Sequence, residues 1–393
     1  MASLKTPEIA QFGPVIDGVM PQLRSHREDT ERARSVATES ISAIKAAGLM
    51  RLLVPAPNGG FEAPLRSQVF ACMETARACP ATSWVMMVCG AHSWVSAGFS
   101  DACREEVFAD GPDIMIAGTL ASQGQFRPEE GGWRVSGRWQ YCSGVDHSPW
   151  LLIGAARADG VSGPQSLHVI VPRSDVEVDD TWYTLGMHGS GSKDILLHDV
   201  FVPEHRAMPT GKLFTGHSPH AAAQQSGHYF VPVLCSLGTQ LAGSILGMAK
   251  EMLELFVERT RVRPDIYSGE GAGAKARSAG IQRRVAEATG EIVCAESLLD
   301  LNCRTFDQVA QERTPPDMPT QARIRWQATY ATELCRRAAD RLFVGAGAHA
   351  AYDGEALQQY YRDIMMATRH AIVDVDSSAE LEGSLTLGVD AAG

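Results

Sequence analysis

The spacing of apolar residues divides the chain into three stretches, and the first of them has a helical period. From residue 15 to about 110, apolar positions recur three and four residues apart. The segment from Asp29 to Leu49 is rich in Ala, Glu and Arg, and the segment from Gln68 to Val95 is apolar nearly all round. A helix that is apolar on every side is covered on several sides. The pattern therefore predicts a helical unit built around a buried helix.

In the second stretch, from Ile114 to about Pro209, the period changes to two. Short runs rich in β-branched and aromatic residues are separated by Gly, Pro, Asp and Ser turns. The runs are Met115–Leu120, Trp133–Tyr141, Trp150–Ala155, Leu167–Val171 and Ile195–Val202. They predict a small antiparallel β unit.

From about Ser236 the helical period returns, and it defines three long apolar stripes and a shorter last helix near Leu357–Asp374. The stripes are Leu241, Ile245, Met248 and Met252; then Ile281, Val285, Ala288, Ile292, Ala295 and Leu299; then Ile324, Ala328, Ala331, Cys335, Ala338 and Leu342. Four such helices predict a four-helix bundle. We expect three domains, an N-terminal helical domain over 1–112, a central β domain over 113–212 and the bundle over 213–393.

Composition narrows the class of protein. The 393 residues carry a net charge of −11 and are 45% hydrophobic, which fits a globular chain and argues against a nucleic-acid surface. No apolar run is long enough for a membrane span, and the N-terminus lacks a signal sequence, so we expect a cytoplasmic protein. The nine cysteines include no Cys-x-x-Cys pair, which favours reduced thiols. The spacing His217-x-x-His220 falls in a Gly/Pro loop, so we predict no metal site.

Two motifs about 45 residues apart carry the chemistry. The first runs from Gly132 to Gly144 (GWRVSGRWQYCSG), and the second runs from Trp182 to Ser192 (WYTLGMHGSGS). Together they resemble the middle domain of the acyl-CoA dehydrogenase superfamily, in which these segments enclose the isoalloxazine ring of a flavin. The order of helices, strands and bundle is also that of the acyl-CoA dehydrogenase fold, an α+β fold.

Two segments of the bundle extend the resemblance. Residues 341–348 (RLFVGAGA) resemble the loop that meets a neighbouring subunit's flavin, and residues 357–363 (LQQYYRD) resemble the Arg-Asp segment before the catalytic region. The resemblance implies a homotetramer whose bundles complete each other's flavin sites.

The residue at the position of the family's catalytic base separates two kinds of enzyme. Most acyl-CoA dehydrogenases place a Glu eight residues after the Asp of the Arg-Asp pair, and here that position is Ala371. Alanine accepts no proton. His370 lies next to it, and a helix would place Asp363, Ala367, His370 and Asp374 on one face. Imidazole suits proton transfer near neutral pH, and Asp374 is a candidate to orient it.

This pattern resembles the flavin-dependent monooxygenases built on the same fold, the oxygenase components of two-component systems such as the 4-hydroxyphenylacetate and steroid-ring phenol hydroxylases. The resemblance implies that a separate NAD(P)H:flavin reductase supplies reduced flavin, FMNH2 or FADH2. It also implies that O2 forms a C4a-hydroperoxyflavin, which hydroxylates an aromatic or heteroaromatic small molecule. No Gly-x-Gly-x-x-Gly lies between a strand and a helix, which favours the partner reductase over a direct NAD(P)H site.

The resemblance also assigns site residues. His92 and Ser143 lie near the flavin C4a–N5 edge and stabilise the flavin peroxide, and His370 is base or substrate orienter. The residues expected to hold the flavin are Trp139, Ser143, Ser190, Ser192, Arg263, Gly345 and Gly347, with Arg261 as a possible substitute for Arg263.

Three alternatives stay open at this point. The first is an acyl-CoA dehydrogenase or oxidase with an atypical base, for which Glu380 or Glu382 lies too far along the chain to be a simple replacement. The second is an N-oxygenase that acts on an amino sugar, and the third is a flavin-binding scaffold without turnover.

Overall fold

The computed structural model describes residues 4–6, 9–158, 163–265 and 271–389. Its helices are α1 (Gly13–Ser25), α2 (Arg27–Ala33), α3 (Thr38–Ala46), α4 (Leu65–Ala76), α5 (Pro80–Ser96), α6 (Asp101–Val107), α7 (Thr210–Phe214), α8 (Pro219–Ala222), α9 (Val233–Val262), α10 (Ala279–Glu312), α11 (Met318–Ala346), α12 (Ala356–Ala367) and α13 (Val375–Leu387). Its strands are β1 (Ile116–Glu129), β2 (Gly132–Cys142), β3 (Trp150–Arg157), β4 (Ser166–Pro172), β5 (Glu177–Asp179), β6 (Lys193–Pro203) and β7 (Ala207–Pro209). The predicted order of helices, strands and helices is confirmed.

The N-terminal helices are shorter than the sequence pattern predicts. The segment from Asp29 to Leu49 breaks at Arg34, which adopts a left-handed conformation with φ 53°. The apolar stretch from Gln68 breaks after Ala76, where α4 ends, and Pro80 begins α5, since proline fits the first turn of a helix. Within α5, every residue is buried except Val88.

The strands form one seven-stranded sheet in the order β5-β6-β2-β1-β3-β4-β7. Every neighbouring pair is antiparallel except β1 and β3, which are parallel, so the prediction of a purely antiparallel unit is wrong at that pair. The difference arises because β3 does not pair with β2, the strand before it in the chain. It pairs with the opposite edge of β1 and runs in the same direction as β1. The sheet has its own apolar core, separate from the larger core of the helices.

Three long helices of the bundle follow the predicted stripes. The stripe residues of α9, α10 and α11 are buried, apart from the half-buried Val285. The fourth helix, α12, ends at Ala367 rather than near Asp374, and α13 begins at Val375. The seven residues between α12 and α13 contain His370, so the end of α12 decides where this side chain lies.

Three further properties hold for the part of the chain that the structure describes. None of its helices has the length and apolarity needed to cross a membrane. No group of three or more His, Cys, Asp or Glu side chains is placed to hold a metal ion. All nine cysteines are free thiols, of which Cys294 alone is exposed.

Candidate functional site

One face of α5 borders the candidate site. Trp84, Val88 and His92 follow each other at intervals of four residues, so they line one side of the helix over about 12 Å. Trp84 and His92 are 6% and 4% exposed, and Val88 between them is the one residue of α5 that remains partly accessible. Val88 packs against the core of the helices and keeps part of its side chain accessible, so this face of α5 is not completely covered.

Trp84 joins the two predicted catalytic residues Ser143 and His370. Its indole Nε1–H donates a hydrogen bond to the Ser143 hydroxyl oxygen at 3.2 Å. Its ring lies edge-on to the imidazole of His370, with the ring centroids 5.8 Å apart. Residues from α5, from the end of β2 and from the turn after α12 therefore meet at one place.

Three buried hydroxyls form a chain that ends at Ser143. Ser143 Oγ lies 2.7 Å from Ser192 Oγ, and Ser192 Oγ lies 2.8 Å from Ser190 Oγ. The Ser190 hydroxyl donates to the Met187 carbonyl oxygen at 2.8 Å. All three serines are 5% exposed or less.

The hydrogens of this chain can be counted. Ser190 uses its single hydrogen on Met187, which only accepts. Ser192 must therefore donate to Ser190, and Ser143 must donate to Ser192. The Ser143 oxygen accepts the Trp84 N–H and keeps one lone pair for a ligand. The chain thus offers a buried oxygen acceptor to a donor atom beside it, which fits the N5–H of a reduced flavin ring.

The two predicted histidines are neutral and have opposite tautomers. Burial lowers the pKa of His92 and of His370 to about 4. The Nδ1 atom of His92 faces the carbonyl oxygen of Ile116 at 3.0 Å and must donate, so Nε2 carries a lone pair. The Nδ1 atom of His370 accepts the backbone N–H of Ile372 at 3.2 Å, so Nε2 carries the hydrogen. One ring thus accepts at Nε2, and the other donates.

The prediction that Asp374 shares a helix face with His370 is wrong. His370 lies beyond the end of α12 and caps a short 3-10 turn, Ala371–Val373. Asp374 caps α13 through the backbone N–H of Ser377, and its side chain is exposed. The backbone N–H of Ile372 orients the imidazole in its place.

Trp139, predicted to hold the flavin, lies inside the sheet. It is fully buried in the sheet core, and its Nε1–H donates to the carbonyl oxygen of Gly154 at 2.6 Å. A Cβ atom on Gly124 of the neighbouring strand would lie 1.9 Å from its ring, so only glycine at that position leaves room for the indole. No surface of Trp139 is left for a cofactor, which corrects the prediction.

Trp139→Phe is expected to lower the free energy of unfolding by about 1–3 kcal/mol, because it opens a small cavity and leaves the Gly154 carbonyl unpaired. Reduced-flavin affinity is expected to remain at the wild-type value. Thermal unfolding and an anaerobic flavin titration measure the two quantities. Weaker flavin binding at unchanged stability would return Trp139 to the cofactor site.

The remaining predicted cofactor residues form a second cluster. Arg263 Nη1 donates to the carbonyl oxygen of Ala346 at 2.5 Å, and a Cβ atom on Gly347 would lie 2.4 Å from the Arg263 guanidinium. Gly345 packs closely on Phe256. This cluster lies at the C-terminal end of α9, where Arg263 caps the helix.

The two clusters are far apart within one chain. Ile372, in the turn that His370 caps, contacts Gly238 near the start of α9. Its Cγ2 atom lies 3.4 Å from where a Cβ atom on that glycine would be. From Gly238 to the end of α9 at Val262 the helix rises about 36 Å. This length exceeds the reach of a flavin nucleotide from ring to phosphate.

Sequence reasoning did not single out Trp84, although it makes both contacts that join the site. A tryptophan in an apolar helix resembles ordinary core packing. Its spacing of two helical turns before His92 was the available signal.

The chain matches known families and proteins over most of its length. Residues 16–107 match the family described as acyl-CoA dehydrogenase, N-terminal domain, and residues 239–375 match acyl-CoA dehydrogenase, C-terminal domain. A pigment production hydroxylase of Rhodococcus sp. (strain ATCC 21145) is 31% identical, with 95% of each chain covered.

Two further relatives carry more specific names. The oxygenase component of p-hydroxyphenylacetate 3-hydroxylase from Acinetobacter baumannii is 29% identical, over 98% of this chain and 92% of the relative. The flavin-dependent monooxygenase oxygenase subunit HsaA of Rhodococcus jostii (strain RHA1) is 30% identical, over 95% of this chain and 97% of the relative.

Solved structures extend the similarity to the whole fold. The 3-HSA hydroxylase from Rhodococcus sp. RHA1 superposes with a TM-score of 0.90 at 28% identity, with 99% of each chain covered. XiaF from Streptomyces sp., solved in complex with FADH2 and glycerol, superposes with a TM-score of 0.91 at 27% identity, over 98% of this chain and 97% of that one.

Proposed function

Because this chain belongs to the acyl-CoA dehydrogenase family and is a flavin-dependent monooxygenase of the oxygenase-component type, we propose that it hydroxylates a small aromatic or heteroaromatic molecule. Its cofactor is reduced flavin and its co-substrate is O2. In this proposal a separate NAD(P)H:flavin reductase supplies the reduced flavin, as the description of several relatives as oxygenase components implies.

The observation that carries the proposal is the meeting of Ser143, Trp84 and His370 beside the accessible face of α5. Bound reduced flavin supplies two electrons to O2, so that one oxygen atom enters the aromatic ring and the other leaves as water. The Ser143 oxygen, held by Trp84 and Ser192, would accept a hydrogen bond from an N–H at the edge of the reduced flavin ring. The burial of the three serines excludes water from that edge, which limits loss of peroxide.

The two histidines take complementary roles toward the substrate. The Nε2 lone pair of His92 accepts a hydrogen bond from a phenolic O–H, which raises the electron density of the substrate ring. The Nε2–H of His370 donates to an oxygen atom in the pocket. Since Nδ1 of His370 is occupied by the backbone, we assign this residue to donation and orientation rather than to the role of base.

The distance between the two clusters supports an oligomer. We propose a homotetramer in which Arg263, Gly345 and Gly347 meet the flavin of a neighbouring subunit, because about 36 Å of helix separates them from the His370 end of the same chain. The guanidinium of Arg263, fixed on the Ala346 carbonyl, is then available to a flavin phosphate.

Arg263→Ala is expected to weaken reduced-flavin binding about tenfold, as the loss of a charge-assisted phosphate contact predicts. The loss should shrink at high salt. Arg261→Ala is the matched control, because Arg261 is an exposed arginine two residues away and should change the Kd by less than about twofold. An anaerobic titration of both variants decides between the two arginines, and a larger effect at Arg261 would reverse the assignment.

The alternative enzyme classes are not favoured. The position of the usual dehydrogenase base is Ala371, which is exposed and carries no carboxylate. On α13, Glu382 lies 3.8 Å from Arg323, and Glu380 is exposed. Relatives named as hydroxylases and monooxygenases argue against the N-oxygenase and the scaffold without turnover.

The proposal is tested by supplying reduced FMN or FAD and air to the protein with a panel of phenols and indoles, without any reductase. We expect hydroxylated product that incorporates one atom from ¹⁸O2. Absence of product across the panel, together with reduction of a bound oxidised flavin by an acyl-CoA thioester, would overturn the proposal in favour of a dehydrogenase.

A further inference from the structure

The serine chain does not end at Ser190, because its last acceptor is itself held by a buried carboxyl group. The Ser190 hydroxyl and the Trp182 indole Nε1–H both donate to the carbonyl oxygen of Met187, at 2.8 and 3.0 Å. The backbone N–H of the same residue, Met187, donates to Asp363 Oδ1 at 2.5 Å. Asp363 lies on α12 and is 1% exposed.

Met187 is a residue whose conformation needs support. Its φ is +58°, in the left-handed region that a side chain with a Cβ adopts only at a cost of about 1–2 kcal/mol. The Ser190 backbone N–H also donates to the Met187 carbonyl, at 3.1 Å, so three hydrogen bonds at its carbonyl and one at its N–H fix the peptide planes on both sides. Asp363 is therefore placed to decide which way the Met187 carbonyl points, and that carbonyl fixes Ser190.

The rest of the same turn is clamped from outside. His188 lies between Glu31 of α2, at 2.9 Å, and the carbonyl oxygen of Thr184, at 2.6 Å. Arg362 reaches the same Glu31 at 2.9 Å and the carbonyl oxygen of Leu185 at 3.0 Å. These contacts hold Thr184, Leu185 and His188, whereas Asp363 accepts the backbone N–H of Met187.

From these contacts we propose that Asp363 is a positioning residue of the cofactor site, which fixes the Met187–Ser192 turn so that the serine chain holds the Ser143 oxygen in place to accept a hydrogen bond from the flavin. The proposal rests on the proposed flavin site at Ser143. It assigns no proton transfer to Asp363, which acts through Met187, Ser190 and Ser192.

The burial of Asp363 fits a role as hydrogen-bond acceptor for the Met187 backbone N–H. Burial, reinforced by the nearby charge of Glu31, raises the pKa of Asp363 to about 7. Both the ionised and the neutral carboxyl group present an oxygen that accepts the Met187 N–H. Asparagine presents the same acceptor without the charge, and alanine removes it.

The test is an anaerobic titration of the full-length protein with reduced FMN and reduced FAD, followed by flavin absorbance. We expect Asp363→Ala to raise the Kd about tenfold and Asp363→Asn to stay within about threefold of the wild type. Asn302→Ala is the control for a lost buried polar side chain, because Asn302 bonds only within the bundle, to Thr239 and the Ile324 carbonyl. It should leave the Kd unchanged.

A double-mutant cycle separates positioning from general destabilisation. If Asp363 acts through the serine chain, Asp363→Ala adds less than about twofold to the Kd of Ser143→Ala. Additive effects, or an Asn variant as impaired as the Ala variant, would overturn the proposal. If Asp363→Ala does not fold, Ser190→Ala takes its place, because it breaks the same chain of hydrogen bonds at the next residue. Ser190→Ala must then weaken reduced-flavin binding.

These readouts are independent of turnover. A wild-type protein that binds reduced flavin but hydroxylates none of the aromatic panel would contradict the proposed function and leave the Asp363 result standing. Wild-type affinity in both Asp363→Ala and Ser190→Ala, with normal hydroxylation, would contradict the role of Asp363 alone.

Discussion

His370→Ala is expected to lower the rate of aromatic hydroxylation about 10²–10³-fold, the range for loss of one preorganised hydrogen-bond donor. The structure gives the reason, because the His370 Nε2–H is a donor fixed by the Ile372 N–H and by the edge of Trp84. Oxygen should still be consumed, but hydrogen peroxide should replace the hydroxylated product. Product and peroxide yields per reduced flavin measure this division.

The controls for His370 distinguish the loss of its N–H donor from the loss of its side-chain volume. His370→Gln keeps an N–H donor and should recover part of the coupling, whereas His198→Ala, an exposed histidine on β6 facing Glu177, should match the wild type. Since burial lowers the pKa of His370 to about 4, its ring stays neutral above about pH 5, and the rate should show no His370 inflection between pH 6 and 8. Wild-type coupling in His370→Ala would contradict this role.

The depressed pKa also has a consequence for stability. In the unfolded chain the imidazole takes up a proton near its ordinary pKa of 6.5, whereas the folded form does so only near 4. The contribution of His370 to stability is therefore present above pH 6.5 and is lost as the pH falls toward 4.

Ser143→Ala is expected to shorten, by about 10²-fold, the lifetime of the transient that precedes oxidised flavin, as for other enzymes that lose one preorganised hydrogen-bonding group. The variant removes the oxygen acceptor that the serine chain holds for a ligand, and it leaves the Trp84 N–H without its acceptor. Ser148→Ala is the matched control, because its buried hydroxyl donates to the Gly144 carbonyl outside the serine chain. An unchanged lifetime in Ser143→Ala would remove Ser143 from the site.

The long helices of the bundle were predictable because each carries an uninterrupted apolar stripe, and burial of such a stripe dominates helix formation. The end of α12 was not predictable in the same way. No glycine or proline marks it, and the side chains of His370 and Asp374 instead cap the backbone N–H groups of Ile372 and Ser377. Such capping competes with a continuous helix and is visible only in three dimensions.

The prediction for Trp139 fails for a reason that the sequence contained. Val135 and Trp139 lie four residues apart on β2 and therefore point to the same face of the sheet, and both are fully buried in its core. The family resemblance suggested a cofactor contact for Trp139, whereas the period of two along β2 predicts a core position. Ser143 lies beyond the end of β2, outside that alternation, and it reaches the site.

The role of Asp363 was beyond sequence reasoning. Asp363 and Met187 are 176 residues apart, and no local pattern predicts that the carboxyl group meets that backbone N–H. The positive φ of Met187 gave no signal either, since methionine is not a residue that favours it.

The most direct test of the central claim is rapid mixing of the protein and reduced FMN or FAD, held without oxygen, against oxygenated buffer, followed by absorbance. We expect a long-lived transient, distinct from oxidised flavin and formed before it, whose lifetime depends on Ser143. Oxidation of the flavin at the rate seen without protein, with no preceding transient, would contradict the assignment of this site to oxygen activation.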